Sequence, residues 1–397
     1  MGSIVTFGLA KLDLDWSKNF LRNDHSKLFM PGDYTIAPYY YADGAVEHER
    51  ALARPLRSVA RRLDMLGYTL AECALHYEEA VEAVPHYYDP PSFSFEEYAR
   101  ILRQVNVRAI DLPEEGDYDL GEYVSRAIMS DPAFAAIDPR LSKLSSDDGT
   151  FFENLDPYVT LRLLAENPDN LDELVTWRVA DALDEGYVKE DDLHLGAPEA
   201  DVCLVVTEGS TDSAILRASL PRVAPAVADF FDFVDMSENY PFTGTGNLVR
   251  FSQGLARIRV QNRILVVVDN DAAGRDALRR ISSLALPRRM RVVALPDLDE
   301  CKAFPTLGPG GATIENINGR AVSIEMFLDL SATASGAPTV RWTSYSDISD
   351  AYQGELQHKD NYTRRFLEAM RRGEAYDMTK LSLLWKHLIA ACTSKSA

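Results

Sequence analysis

The sequence has no run of about 18 apolar residues, so nothing in it reads as a membrane-spanning helix. Its first residues include acids where a secretion leader would be basic and then apolar. Both absences lead to the expectation of a cytoplasmic protein with no membrane partner. Cysteine is scarce: Cys73, Cys203, Cys301 and Cys392 form no C-x-x-C pair and follow no histidine rhythm. That excludes a zinc knuckle and points to reduced thiols. Internal repeats and long low-complexity tracts are absent too. So is any basic excess, since the formal charge is −20, the wrong sign for a chain that grips nucleic acid as a whole. The imbalance is local, however. Residues 1–200 hold 38 Asp+Glu against 18 Lys+Arg, whereas residues 201–397 hold 23 of each. The second half also clusters its cations, at Arg279, Arg280, Arg288, Arg289 and Arg291 and at Arg364, Arg365, Arg371 and Arg372. Clustered arginines can hold phosphates whatever the total charge. Arg275, Arg364 and Arg365 are the candidate contacts to a nucleic-acid backbone.

Hydropathy divides the chain. The opening SIVTFGLAKLDL reads as a strand, and helical spacing follows from Ala51 to Val84. Ser94 stands ahead of Glu96 and Glu97 as a helix start for Tyr98 to Val105. A further helical block runs from about Pro157 to Asp184, interrupted near Asn167-Pro168-Asp169-Asn170. The acidic, broken stretch Val188–Asp201, with Gly196 and Pro198, reads as a boundary. Beyond it, the apolar runs Val202–Val206, Phe230–Val234, Ile264–Val268 and Val292–Leu295 alternate with helical segments. Continuous apolar runs between helices indicate strands buried on both faces, hence a parallel, helix-flanked sheet. From about Glu315 the pattern reads as helices to the C-terminus. The expected class is α/β, with a Rossmann-like four-stranded parallel sheet after a mainly helical α+β N-terminal domain. The expected division is 1–195, 196–312 and 313–397.

The chemistry-bearing residues stand where these strands end, which is where ligands bind in open α/β sheets. The first run ends in Thr207-Glu208-Gly209-Ser210-Thr211-Asp212, and the third in Asp269-Asn270-Asp271-Ala272-Ala273-Gly274. Asp269 and Asp271, two apart on an extended segment, point to one side. Asp212 lies one helical turn past Glu208. Acids that converge in this way repel unless a hard divalent cation joins them, and Mg²⁺ takes oxygen ligands. Mn²⁺ is the alternative.

A Glu-Gly turn after the first strand and an Asp-x-Asp after the third resemble the Toprim family, shared by topoisomerases, bacterial primases and overcoming-lysogenization-defect nucleases. The resemblance implies that Glu208 is a metal ligand or a proton-transfer group, and that Asp269 and Asp271 bind Mg²⁺. In the nuclease branch a Glu-x-x-x-Asp adds a ligand, matched by Asp212. An Ile-Glu segment there contributes to the metal site, matched by Ile324-Glu325. A late lysine that stabilises phosphate charge is matched by Lys359. The first half, through MGSIVTFGLAKLDLDWSKN, RPLRSVARRLDMLGYTL, FSFEEYARIL and LDPYVTLRLLAENPDN, resembles the bacterial HEPN/Toprim-associated family. None of the seven histidines has an arginine at the upstream spacing of a HEPN ribonuclease motif. His25 near Arg22 therefore reads as a surface pair.

The function these features imply is a Mg²⁺-dependent endonuclease acting on DNA or RNA, in an anti-phage setting that comes from the resemblance alone. The rivals are a topoisomerase or primase-like component and a non-catalytic scaffold that binds nucleic acid or nucleotide. A homodimer giving paired cuts, and a regulatory partner on the acidic half, are compatible with the sequence. The aromatic run Tyr39–Tyr41 reads as packing against the helical region.

Overall fold

The computed structural model describes residues 3–41, 44–111, 121–234, 244–258, 260–331, 336–346 and 351–394. The chain forms two compact units, Met1–Pro198 and Glu199–Ala397. Among the described residues, no helix is long and apolar enough to cross a membrane.

The first unit is built on a five-stranded antiparallel sheet of β1 (Ile4–Leu9), β2 (Leu12–Lys18), β3 (Tyr34–Tyr40), β4 (Val46–Pro55) and β5 (Leu174–Arg178), in the order β2-β1-β5-β4-β3. Alternation along β1 turns Val5, Phe7 and Leu9 inward, where they meet Leu52, Val175 and Trp177 in one core. Helices α1 (Leu56–Met65), α2 (Leu70–Glu82), α3 (Phe95–Leu102), α4 (Pro132–Ala135), α5 (Ser146–Asn154), α6 (Pro157–Leu164) and α7 (Ala180–Asp184) complete the unit. Leu56, Val59 and Leu63 of α1 and Val159, Leu161 and Leu163 of α6 belong to the same core. Each such side chain, fully buried, contributes about 1.5–3 kcal/mol. Helix α3 starts at a capping box: the Ser94 hydroxyl accepts from the Glu97 amide, and the Glu97 carboxylate accepts from the Ser94 amide. Two expectations change. Ala51–Pro55 belongs to β4 rather than to a helix, and the block from Pro157 to Asp184 is interrupted by β5, a central strand. Tyr39 and Tyr40 lie on β3, at the sheet edge.

The second unit is mixed α/β, and its main sheet is entirely parallel. Strands β6 (Cys203–Val206), β7 (Phe231–Phe233), β8 (Arg263–Val268) and β10 (Met290–Ala294) run in the order β10-β8-β6-β7. Helices α8 (Ser210–Val223), α9 (Thr245–Arg257) and α10 (Ala272–Ser282) make the connections. On one face Val206, Ile264, Val266 and Val268 pack with Leu248, Val249 and Leu255 of α9 and Ala277 and Ile281 of α10. On the other lies α12 (Thr379–Thr393), whose Trp385 meets Phe231 and Phe233 and donates to the Ser219 hydroxyl of α8 at 2.9 Å. Burial on both faces is what the continuous apolar runs require.

The reading of helices alone beyond Glu315 is overturned. After β11 (Phe304–Gly308) and β12 (Gly311–Glu315) come β13 (Ala321–Val322), β14 (Val340–Ser346) and β15 (Ala351–Leu356), and only then α11 (Lys359–Arg372) and α12. Strands β12-β11-β14-β15 form a second sheet, and β13 pairs with β9 (Asn270–Asp271). The segment around Glu325 is a short strand and one 3₁₀ turn rather than a helix.

Candidate metal centre

The sheet order places β6 between β7 and β8, so the chain passes from β6 to β7 on one side and then crosses back to β8 on the other. That is the topological switch point, where a crevice opens outside the carboxyl ends of parallel strands. The register pairs Val206 with Val266. Continued two residues further, it sets Glu208 level with Val268, just before Asp269, on strands about 4.8 Å apart. Helix α8 begins at Ser210 and carries Asp212 in its first turn. The β9–β13 pairing sets Asp271 opposite Ala321 and brings the following Ser323–Glu325 turn to the same edge. Gly274 permits this packing, because a Cβ there would fall 2.1 Å from the Asp269 carbonyl oxygen.

Most of these carboxylates have a protein donor. Glu208 accepts from the Thr245 hydroxyl at 2.8 Å, at the start of α9. Asp212 accepts from the Gly209 amide at 3.0 Å. Asp271 caps α10, accepting from the Gly274 amide at 2.6 Å through Oδ1 and from the Gln353 side chain through Oδ2. Glu325, only 4% exposed, accepts from the Ser323 hydroxyl at 2.6 Å. Asp269 differs: among the described residues no donor hydrogen-bonds or ion-pairs with its carboxylate.

The electrostatics tie these groups together. Burial raises the pKa of Asp269 well above the carboxylate range, and repulsion from Asp212, Asp271, Glu208 and Glu325 adds to it. Asp212 is pushed up to about 7 by burial and then by Glu325 and Glu208, against the Gly209 amide and Lys359. Burial also raises Glu208, opposed by its Thr245 bonds and reinforced by Asp271. Asp271 is raised by burial, against the hydrogen bonds from Gly274, Gln353 and Ala273. At Lys359, the first residue of α11, burial opposes the charged form, but its bond to Glu355 (2.8 Å) and the charges of Glu325 and Asp269 outweigh it and raise the pKa. Five acids and one lysine thus share one electrostatic neighbourhood. Among the described residues, no three His, Cys, Asp or Glu side chains are gathered tightly enough to hold one ion as they stand. The acids repel one another without closing into a cage.

The arginines divide. Arg275 is exposed beside the site, its Nε donating to Asn270 Oδ1 at 3.3 Å and its guanidinium filling the space over Gly319, whose φ is +75°. Arg364 donates to Asn361 at 2.9 Å, and Arg365 is engaged by Asp329 at 2.6 Å and Ser331 at 3.1 Å. Arg279 and Arg280 face Asp276 at 3.7 Å, while Arg289 donates to the Ala200 and Gln261 carbonyls ahead of β6 and β8 and Arg291 to the Met290 carbonyl at the start of β10. That edge is opposite the carboxylates, so this arginine cluster braces the sheet. Thr245, Ser323 and Gln353 carry no motif of their own. The sequence singles out none of the three, although Thr245 stands between Gly244 and Gly246 at the start of α9.

In the first unit, His25 is not a surface residue. It is 1% exposed, stacked on Phe7 at 3.8 Å and bonded to Asp15 at 3.0 Å and Tyr158 at 3.1 Å. Burial lowers its pKa, so the neutral ring donates to Asp15 through Nε2 and accepts from the Tyr158 hydroxyl through Nδ1.

Searches of curated proteins and of solved structures return no match. The sequence profile of the HEPN/Toprim N-terminal domain 1 family matches residues 1–201, ending before every carboxylate of the site. That match spans half the chain, and the protein belongs to the HEPN/Toprim family.

Proposed function

We propose that the protein is a Mg²⁺-dependent endonuclease that cleaves the phosphodiester backbone of DNA or RNA. One observation carries the reading: Asp269, at the carboxyl end of a parallel strand, feels four other carboxylates and has no protein donor among the described residues. Such an acid is balanced by a cation, and a donor set of carboxylate oxygens without cysteine or histidine suits Mg²⁺, with Mn²⁺ second. Asp269, Asp271 and Glu208 are assigned as the principal ligands, with Asp212 and Glu325 supporting them. The ion supplies Lewis-acid polarisation of the phosphate and a template for in-line displacement. Lys359 adds positive charge where the phosphate gains negative charge, and Arg275 is placed to hold a neighbouring phosphate. The fold of the second unit is assigned as Toprim, and membership of the HEPN/Toprim family favours a nucleic-acid substrate. An anti-phage role, a homodimer giving paired cuts and a regulatory partner on the acidic half extend the same reading.

The test is incubation of the full chain with plasmid, tRNA and single-stranded oligonucleotides in Mg²⁺, Mn²⁺ or EDTA. Metal-dependent nicking or cutting, abolished by Asp269→Ala and Glu208→Ala, supports the assignment. Changed supercoiling with intact strands would indicate a topoisomerase, and binding without cleavage under every metal would indicate a scaffold.

A further inference from the structure

Asp271 and Asp269 are two residues apart, yet only Asp271 is held in place. Its Oδ1 takes the Gly274 amide at 2.6 Å and its Oδ2 the Gln353 side-chain amide. The other end of Gln353 is occupied as well, Oε1 accepting from the Ala273 amide at 3.1 Å. The amide can face only one way, since a backbone N–H only donates and an ionised carboxylate only accepts. Gln353 therefore spans the first turn of α10 and the carboxylate that caps it. The two Asp271 oxygens have four lone pairs between them and spend at most three on Gly274, Gln353 and Ala273, so at least one is left for a cation.

The strand that supplies Gln353 is itself fixed. At Gly354 a Cβ would fall 2.6 Å from Val340, 2.8 Å from Trp342 and 2.9 Å from Ala321, and the Gly354 amide donates to the Arg320 carbonyl at 3.0 Å. Alternation along β15 places Glu355 on the same face as Gln353, where it pairs with Lys359 at 2.8 Å. One face of one strand thus addresses both an acid and the cation of the site.

Building on the metal-site reading above, we propose that Gln353 is a positioning residue, which fixes the Asp271 carboxylate in the orientation that receives the divalent cation. Partners of this kind typically change metal affinity 10- to 100-fold when removed. The test is Mn²⁺ titration of the full chain, followed by the paramagnetic resonance signal of free Mn²⁺, with no cleavage assay involved. Gln353→Met, which keeps the length and loses both hydrogen bonds, should weaken Mn²⁺ binding about 10- to 100-fold while metal-free thermal unfolding stays where it was. Gln353→Glu, which sets a carboxylate against Asp271, should weaken it at least as much. Should Gln353→Met fail to fold, Gln353→Asn, one methylene short, is read in the same titration and should also bind more weakly. Wild-type Mn²⁺ affinity in the Gln353 variants, alongside loss in Asp269→Ala, overturns the role of Gln353 and leaves the metal site standing. Absence of Mn²⁺ binding by the unmodified chain overturns both.

Discussion

The two units treat buried acids in opposite ways. In the first, Asp15 is matched to Asn23 at 2.9 Å and His25 at 3.0 Å, Asp138 to Arg100 and Arg140 at 2.8 Å, and Asp148 to Ser92 and Ser145, while Asp13, raised to about 6 by burial, is opposed by the nearby charge of Arg178. In the second, acids at the strand ends are set against one another, and Asp269 has no donor among the described residues. The contrast runs against composition, because the first half holds the entire acid excess and the second is neutral. Net charge therefore misdirects the search for a site, and local pairing directs it. Matched acids stabilise a fold, whereas unmatched ones at a sheet's carboxyl edge store repulsion that a ligand can relieve.

The largest effect is expected from breaking the unmatched side. Asp269→Ala should lower metal-dependent cleavage by on the order of 10³-fold or more, because several kcal/mol of charge stabilisation depend on the bound ion. Its metal-free thermal stability should hold or rise, as removing one of five mutually repelling acids relieves strain. A variant that cleaves normally would return the cluster to a structural role.

On the matched side, Asp15→Ala removes the acceptor for Asn23 and His25 and strands the His25 donor in the core. A loss of about 1–3 kcal/mol in urea unfolding is expected, the cost of a buried donor left without a partner. Any Mg²⁺ response of the second unit should be unchanged. A milder loss would mean that water replaces the carboxylate.

The smallest effect sharpens the contrast through pH. The pKa of Asp212 rises from an ordinary 3.8 to about 7, and that of Asp269 rises in the same direction. As pH climbs from about 4 to about 7, the unfolded chain releases these protons before the folded one does. Stability conferred by this part of the metal-free protein is therefore fullest below pH 4 and declines across that window. Thermal unfolding in EDTA should occur several degrees lower at pH 8 than at pH 5, with Mg²⁺ narrowing the gap and Asp212→Asn flattening the slope. Rising stability over that interval without metal would refute the assignment.

Much of the second unit was legible because buried parallel strands leave continuous apolar runs. β6, β8 and β10 and helices α8 to α10 follow the hydropathy closely, and the Glu-Gly and Asp-x-Asp segments mark the strand ends. Strands β14 and β15 were not read, although VRWTSYS alternates apolar with polar residues. The Gly-, Ser- and Ala-rich stretch before it masked the change of period. β5 was lost because LVTWR is short and flanked by helical spacing. Gln353 has no local signature at all: its role comes from strand register against α10, which one sequence does not encode visibly. Burial of His25 was hidden in the same way, since it depends on Phe7 and Tyr158 from distant parts of the unit.

Asp271 has two employments, as the cap of α10 and as an acid of the site. An ion held through its remaining lone pair leaves the capping bonds in place and steadies the carboxylate that makes them. Occupancy of the site is thereby linked to the order of the first turn of α10, and slower hydrogen–deuterium exchange at the Gly274 amide would register loading before any substrate is present.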